Sequence, residues 1–192
     1  AWGVEAALAR FVGMFAFAVW DRAERVLTLV RDRLGIKPLY YGTFGDTLLF
    51  GSELKALSAH PAFDATIDRA ALSEMLRLSY VPAPRTIYAH ARKLQPGHLL
   101  TVQRSGSRLV MEERPYWRLE DVVAAGRAAP FNGSDADAAD ALEAVLKEAV
   151  GLRMIADVPL GAFLSGGVDS SLVVALMQAQ SSRPVKTFSI GF

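Results

Sequence analysis

Ser165-Gly166-Gly167-Val168-Asp169-Ser170-Ser171 decides how this chain is read. Ahead of it lies the apolar run Val158-Pro159-Leu160-Gly161-Ala162-Phe163-Leu164, and behind it Leu172-Val173-Val174-Ala175-Leu176-Met177, apolar at helical spacing. A short buried strand, a glycine-rich turn carrying hydroxyls and then a helix is how an α/β protein offers backbone N–H groups to an anion. The glycines let the main chain approach a ligand closely and take φ angles that other residues avoid. Ser165, Ser170 and Ser171 add hydroxyl donors, and the helix N-terminus adds partial positive charge. The loop suits phosphate. Asp169 would repel a phosphate unless Mg²⁺ bridges the two, since that ion takes carboxylates together with phosphate oxygens. Asp169 and Ser170 also have the chemistry of helix caps, and capping and ligation are compatible.

Two other motifs are excluded. A Walker A loop needs Gly, four residues, then Gly-Lys-Ser/Thr, and no lysine stands near this loop. A hydrolase nucleophile elbow needs glycine two residues before the serine, where Ser165 has Phe163, and it needs a later histidine. His60, His90 and His98, the three histidines, all come earlier.

With 192 residues, 52% hydrophobic and 21% charged, the chain can bury a core, and its length allows one domain or two small ones. A net charge of +1 gives no reason to expect nucleic acid or a membrane surface as partner. The absence of cysteine removes disulfides, thiolate metal sites and a Cys nucleophile within these residues. No apolar run reaches the roughly 18 residues that span a bilayer, and no basic leader precedes an apolar stretch, so a cytoplasmic protein is expected. The chain starts without Met and stops after a strand-like run, which is read as a piece of a longer polypeptide.

Along the chain, Val4–Arg10 reads as a short helix, Phe11–Trp20 as a buried strand, and Val26–Arg31 as its hairpin partner. Phe11, Phe15, Phe17 and Trp20 are expected in the core. Thr47–Gly51 follows a Gly45-Asp46 turn, and the close spacing of strands argues for an antiparallel sheet. Glu53–His60 has helical spacing, and Asp68 is placed to cap a helix through Ser79. Val81–Tyr88, with two prolines, reads as an ordered extended linker. Leu99–Gln103 and Arg108–Glu112 form a hairpin. The Arg31/Asp32 pair reads as an ion pair fixing a strand end ahead of a catalytic pair, and His98 as a structural histidine ahead of a base. Glu120–Gly133 is the most linker-like stretch, and Ser134 caps a helix whose apolar face runs through Ala138, Leu142, Val145, Leu146, Ala149, Val150 and Leu152. Strands at Leu160–Leu164 and Val185–Ile190, joined by a helix over 170–180, make a βαβ crossover expected to be right-handed.

The loop resembles the pyrophosphate-binding SGGxDS loop of the ATP-pyrophosphatase group, which splits ATP between its α- and β-phosphates. That group includes asparagine, GMP, argininosuccinate and NAD synthetases. The flanks Arg153-Met154-Ile155-Ala156-Asp157-Val158-Pro159-Leu160-Gly161 and Lys186-Thr187-Phe188-Ser189-Ile190-Gly191-Phe192 narrow the resemblance to the glutamine-hydrolysing asparagine synthetase family. Gly13-Met14-Phe15-Ala16-Phe17-Ala18, the run Arg31–Tyr41 and Ser52-Glu53-Leu54-Lys55-Ala56-Leu57 resemble the C-terminal half of that family's glutaminase domain. Val81–Tyr88 and Lys93–His98 are similar to two further phrases of the family, the first expected to pack between its domains.

The resemblance implies an α+β part followed by an α/β part. Residues 1–125 would be the C-terminal portion of an N-terminal-nucleophile (αββα) glutaminase domain with an interdomain segment. Residues 134–192 would start a Rossmann-like adenine-nucleotide α-hydrolase domain. It implies ATP and Mg²⁺ as cofactors, with Ser165, Gly166, Gly167, Asp169, Ser170 and Ser171 on the pyrophosphate and Asp169 on Mg²⁺. Phe163, Leu164 and Ile190 would line the adenine site at the carboxyl ends of the two strands. In the family, aspartate is adenylated and ammonia from glutamine displaces AMP; a homodimer is compatible with this. The family's nucleophile is an N-terminal Cys, which is absent, and its glutamine- and aspartate-holding parts would lie before Ala1 and after Phe192. The chain alone is therefore expected neither to hydrolyse glutamine nor to make asparagine. The rival readings are a β-lactam synthetase, an amidotransferase acting on another carboxylate, and a non-catalytic interaction module.

Overall fold

The computed structural model describes residues 2–191, which fall into two units meeting at Ala128 and Ala129. In the first unit, strands β1 (Ala16–Asp21) and β2 (Val26–Arg31) form the expected hairpin. β3 (Tyr40–Phe44) and β4 (Thr47–Gly51) form a second hairpin across Gly45, and β5 (Ala91–Lys93) pairs with the other edge of β3. β6 (His98–Ser105) and β7 (Arg108–Pro115) make the third hairpin. The result is two antiparallel sheets, ordered β1-β2-β6-β7 and β4-β3-β5.

Strand alternation explains how the sheets are layered. Leu29, Leu100 and Val102 of the first sheet meet Tyr41 of the second, with Leu39 and Leu94 just beyond its strands, in one buried cluster. Their neighbours Val30 and Leu99 point to the opposite face, where Leu8 of helix α1 (Val4–Leu8) covers them. On the outer face of the second sheet, Phe44 and Ala91 pack under Leu57 of α2 (Leu54–Ser58). The two sheets are also joined by a polar link, in which the buried Tyr41 hydroxyl donates to Glu113 Oε2 at 2.7 Å. Gly42 has to be glycine for want of room, since a Cβ there would lie 2.3 Å from the His90 carbonyl oxygen, just ahead of β5.

Several expectations shift here. The first strand is shorter than Phe11–Trp20, because the chain reaches β1 only after Gly13, at φ +139. Phe11, Phe15 and Phe17 do pack as a cluster, with centroids 5.4 to 6.0 Å apart. Trp20, however, is 54% exposed, because it lies on the edge strand of the first sheet. The segment 81–88 is ordered but bent by a turn at Pro82–Arg85, and the buried Thr86 hydroxyl pins it by donating to the Tyr88 and Ala91 carbonyls at 3.0 Å. The Lys93 ammonium donates to the Val81 carbonyl. Asp68 caps α3 (Arg69–Leu78) as expected, accepting from the Ala70 and Ala71 amides. The stretch read as linker is in large part a helix, α4 (Leu119–Ala128), whose first turn carries Glu120 and Asp121. Acidic residues at that end favour a helix.

Arg31 and Asp32 are structural, though not as an ion pair; each binds backbone. Asp32, 2% exposed, accepts from the amides of Ile36 at 2.9 Å, Lys37 at 2.9 Å and Phe15 at 3.2 Å. Arg31 donates to the carbonyls of Gly35, Lys37 and Leu94 at 2.7 to 2.9 Å. Together they fold the turn after β2 and tie it to the entry of β1.

The second unit opens with α5 (Asp135–Arg153), started by a reciprocal capping box between Ser134 and Asp137. None of its residues is buried, so the apolar face through Leu142 and Val145 stays largely open; its inward contacts are to α6 (Val168–Ala179). Strands β8 (Gly161–Phe163) and β9 (Lys186–Phe188) are parallel, with Phe163 opposite Phe188, and α6 connects them. Leu176 and Met177 are the buried residues of that helix.

Replacing Asp32 by Ala strands three amides, so a loss of about 3 kcal/mol or more in denaturant unfolding is expected. Asp32→Asn should recover part of it, because its one oxygen can still accept from the Lys37 and Phe15 amides while its nitrogen cannot accept from Ile36. Burial also raises two tyrosines: Tyr41 is pushed far above the ordinary phenol range, and Tyr116, whose hydroxyl donates to the Arg31 carbonyl, is pushed up to about 12. Both stay neutral in the fold where an unfolded tyrosine, with pKa near 10, ionises. Their stabilising contribution is full below about pH 10 and is lost as pH rises from there, through about 12 for Tyr116 and higher still for Tyr41. Phenolate absorbance should therefore lag behind that of the unfolded chain, and Tyr116→Phe should narrow the lag.

Candidate nucleotide-phosphate site

The chain leaves β8 after Phe163, and the next residue is held on two sides. The Leu164 amide donates to the Phe188 carbonyl at 2.8 Å, and the Leu164 carbonyl accepts from the Ser189 hydroxyl at 2.6 Å. Both bonds reach the end of β9, so the turn beyond Leu164 starts from a defined point at the carboxyl edge of the strand pair.

Gly166 then takes φ +82, in the left-handed region. There is open space where its side chain would be, so the backbone angle, not crowding, selects glycine. Gly167 is the N-cap of α6 and supplies no side-chain cap. The first helical bond runs from the Ser171 amide to the Gly167 carbonyl at 3.1 Å. The amides of Val168, Asp169 and Ser170 are thus the unpartnered donors of a helix start. Two hydroxyls brace the turn: Ser165 Oγ lies 3.0 Å from Ser170 Oγ, and Ser170 Oγ donates to the Gly167 carbonyl at 3.1 Å.

The capping alternative is corrected by this geometry. Neither Asp169 nor Ser170 caps the helix; they are its second and third residues, and Ser170 turns back to the loop. The Asp169 carboxylate has no hydrogen-bond or ion-pair partner among the described residues. All of the predicted loop residues, Ser165, Gly166, Gly167, Asp169, Ser170 and Ser171, lie on one turn, with only Ser170 more than lightly covered. Phe163 and Ile190 sit at the carboxyl ends of the neighbouring strands, 78% and 72% exposed, so the strand is an open tip, not the buried strand expected.

The histidines take no part. His98 Nδ1 lies 2.8 Å from the Pro96 carbonyl, His60 Nδ1 accepts from the Ala62 amide at 3.1 Å, and His90 faces Asp64 at 3.3 Å on the surface. Each has a local partner, as expected for His98. Sequence reasoning gave no role to Ser189, although it lay inside a quoted flank; a lone serine after a strand carries no signal of its own.

The arrangement can do one thing chemically. Amide and hydroxyl donors converge at a strand tip and a helix start, where an anionic group gains from both.

Residues 141–192 match the family described as Asparagine synthase, and residues 1–117 the family described as Glutamine amidotransferase domain. The glutamine-hydrolysing asparagine synthetases 3 and 1 of Bacillus subtilis are 36% and 35% identical over 94% and 98% of this chain. The amidase chyE of Penicillium rubens is 34% identical over 86% of this chain and 23% of its own length. The chain spans only 28% of the length of either Bacillus synthetase. The chain belongs to the glutamine amidotransferase domain family.

Proposed function

We propose that this chain is part of a glutamine-hydrolysing asparagine synthetase. In that reaction the aspartate β-carboxylate attacks the α-phosphate of ATP, releasing pyrophosphate and forming β-aspartyl-AMP. Ammonia from glutamine then displaces AMP and leaves asparagine. The observation that supports the reading most is the open turn 165–171, with free amides at the start of α6 and an unpaired carboxylate beside them.

Residues 1–125 are assigned to the glutaminase part of such a protein, an αββα N-terminal-nucleophile sandwich with an interdomain segment. The two face-to-face sheets, with α1 and α2 on their outer faces, support this. Residues 134–192 are assigned to the first βαβ unit of a Rossmann-like ATP-pyrophosphatase domain, supported by the parallel pairing of β8 and β9 around α6. Cytoplasm is the compartment proposed, with ATP, aspartate and glutamine as small-molecule partners and a homodimer as a compatible assembly. No helix among the described residues is long and apolar enough to cross a membrane.

The turn's task is electrostatic. When ATP breaks at its α-phosphate, charge builds on the departing pyrophosphate, and preset donors stabilise charge best where it develops. In this reading the amides of Val168, Asp169 and Ser170 and the hydroxyls of Ser165 and Ser171 would receive it. Phe163, Leu164 and Ile190 offer apolar surface for the adenine at the strand ends. The donor set also fits Mg²⁺, which binds through one or two carboxylates plus phosphate oxygens. Asp169, unpaired beside the phosphate donors, would hold that ion, whose chemical contribution is to neutralise the leaving pyrophosphate.

Isothermal titration of the chain with Mg-ATP tests the reading. Saturable binding is expected, weakened about tenfold or more in Asp169→Ala, as for loss of a charged contact. Equal binding by Asp169→Ala, or no heat with the unsubstituted chain, would overturn it.

A further inference from the structure

We propose that Ser189 is a positioning residue for the phosphate loop: its hydroxyl fixes the Leu164 carbonyl and so sets where the turn 165–171 begins. The proposal rests on reading that turn as a nucleotide-phosphate site and adds a residue outside it.

β8 is only three residues long and exposes much of its surface. A strand that short has little packing to hold its tip. The chain must nevertheless leave it at one fixed point, since the next three residues bring Gly166 to φ +82 and Gly167 to the cap of α6. Within the turn, the side-chain bonds are internal: Ser165 to Ser170, and Ser170 to Gly167. They hold its shape but not its place. Among the described residues, the bonds that tie its entry to the second strand are those of Leu164, one from its amide to Phe188 and one to its carbonyl from Ser189.

These two differ in kind. The Phe188 bond is backbone and does not depend on a side chain. The Ser189 bond is a side-chain hydroxyl at 2.6 Å, short for a neutral pair, and it holds the carbonyl of the residue directly before Ser165. If the hydroxyl is removed, Leu164 can rotate about its remaining bond, and the peptide joining it to Ser165 rotates with it. The donors at Gly166, Gly167 and the helix start then lose their common origin. Phosphate held by several convergent donors is sensitive to such a shift, because a misplacement of about 1 Å weakens every bond at once.

The test uses Ser189→Thr and Ser189→Val, which share a shape and differ by the hydroxyl, with Ser189→Ala as a smaller third variant. The probe is inorganic pyrophosphate with Mg²⁺, read by isothermal titration and by the backbone amide NMR signals of Gly166 and Gly167. Val and Ala are expected to weaken binding about three- to tenfold, the worth of one hydrogen bond, and to move both glycine signals in the free protein. Thr is expected to restore affinity and signals together. If Val binds as tightly as Thr while Asp169→Ala still weakens binding, the positioning role falls and the phosphate reading stands. If the unsubstituted chain binds no pyrophosphate, both fall.

Discussion

A parallel strand pair three residues long has to end somewhere definite, and here it ends at Leu164, bonded through both its amide and its carbonyl to the end of β9. The turn 165–171 and the helix beyond it depend on that constraint. Gly166 can turn the chain only from a fixed start, and α6 can aim its open amides only if the turn is reproducible. In the proposed reading, the turn acts through backbone geometry more than through reactive side chains, so serine, glycine and one aspartate suffice.

The first unit solves a similar problem by setting charge against backbone. Asp32 gathers three amides, and Arg31 gathers three carbonyls, two from the same turn and one from Leu94. A buried carboxylate is tolerable when its oxygens are hydrogen-bonded. This pair joins the entry of β1, the turn after β2 and the segment before β6, so sheet packing and loop shape rise or fall together. The Tyr41–Glu113 contact adds a polar bond between the two sheets in a core otherwise held by Leu and Val.

The features legible in the residues were those that depend on neighbours in the chain. Gly166 at positive φ, Asp68 as a cap and Ser134 with Asp137 at a helix start are local matters, and the pattern of residue types carries them. The hairpin turn at Gly45 is of the same kind. Arg31 and Asp32 were legible as structural, but their partners were not, because backbone amides at 15, 36 and 37 leave no mark on side-chain identity. Trp20 looked like core because its strand alternates; its exposure follows from edge position, a property of strand order. Residues 120–133 read as linker because Gly126 and Pro130 outweighed the helix-forming Glu120 and alanines among them. Ser189 went unread because its role is a single bond across strands, 25 residues from its acceptor.

If the turn between β8 and α6 receives the phosphates of a nucleotide, binding must quieten its backbone. Hydrogen–deuterium exchange of the chain with and without Mg-ATP tests this most directly. Slower exchange is expected in a peptide covering Ser165–Ser171, with the peptides of β2, β3 and β6 unchanged. Unaltered exchange through that turn, or protection confined to the first unit, would contradict it.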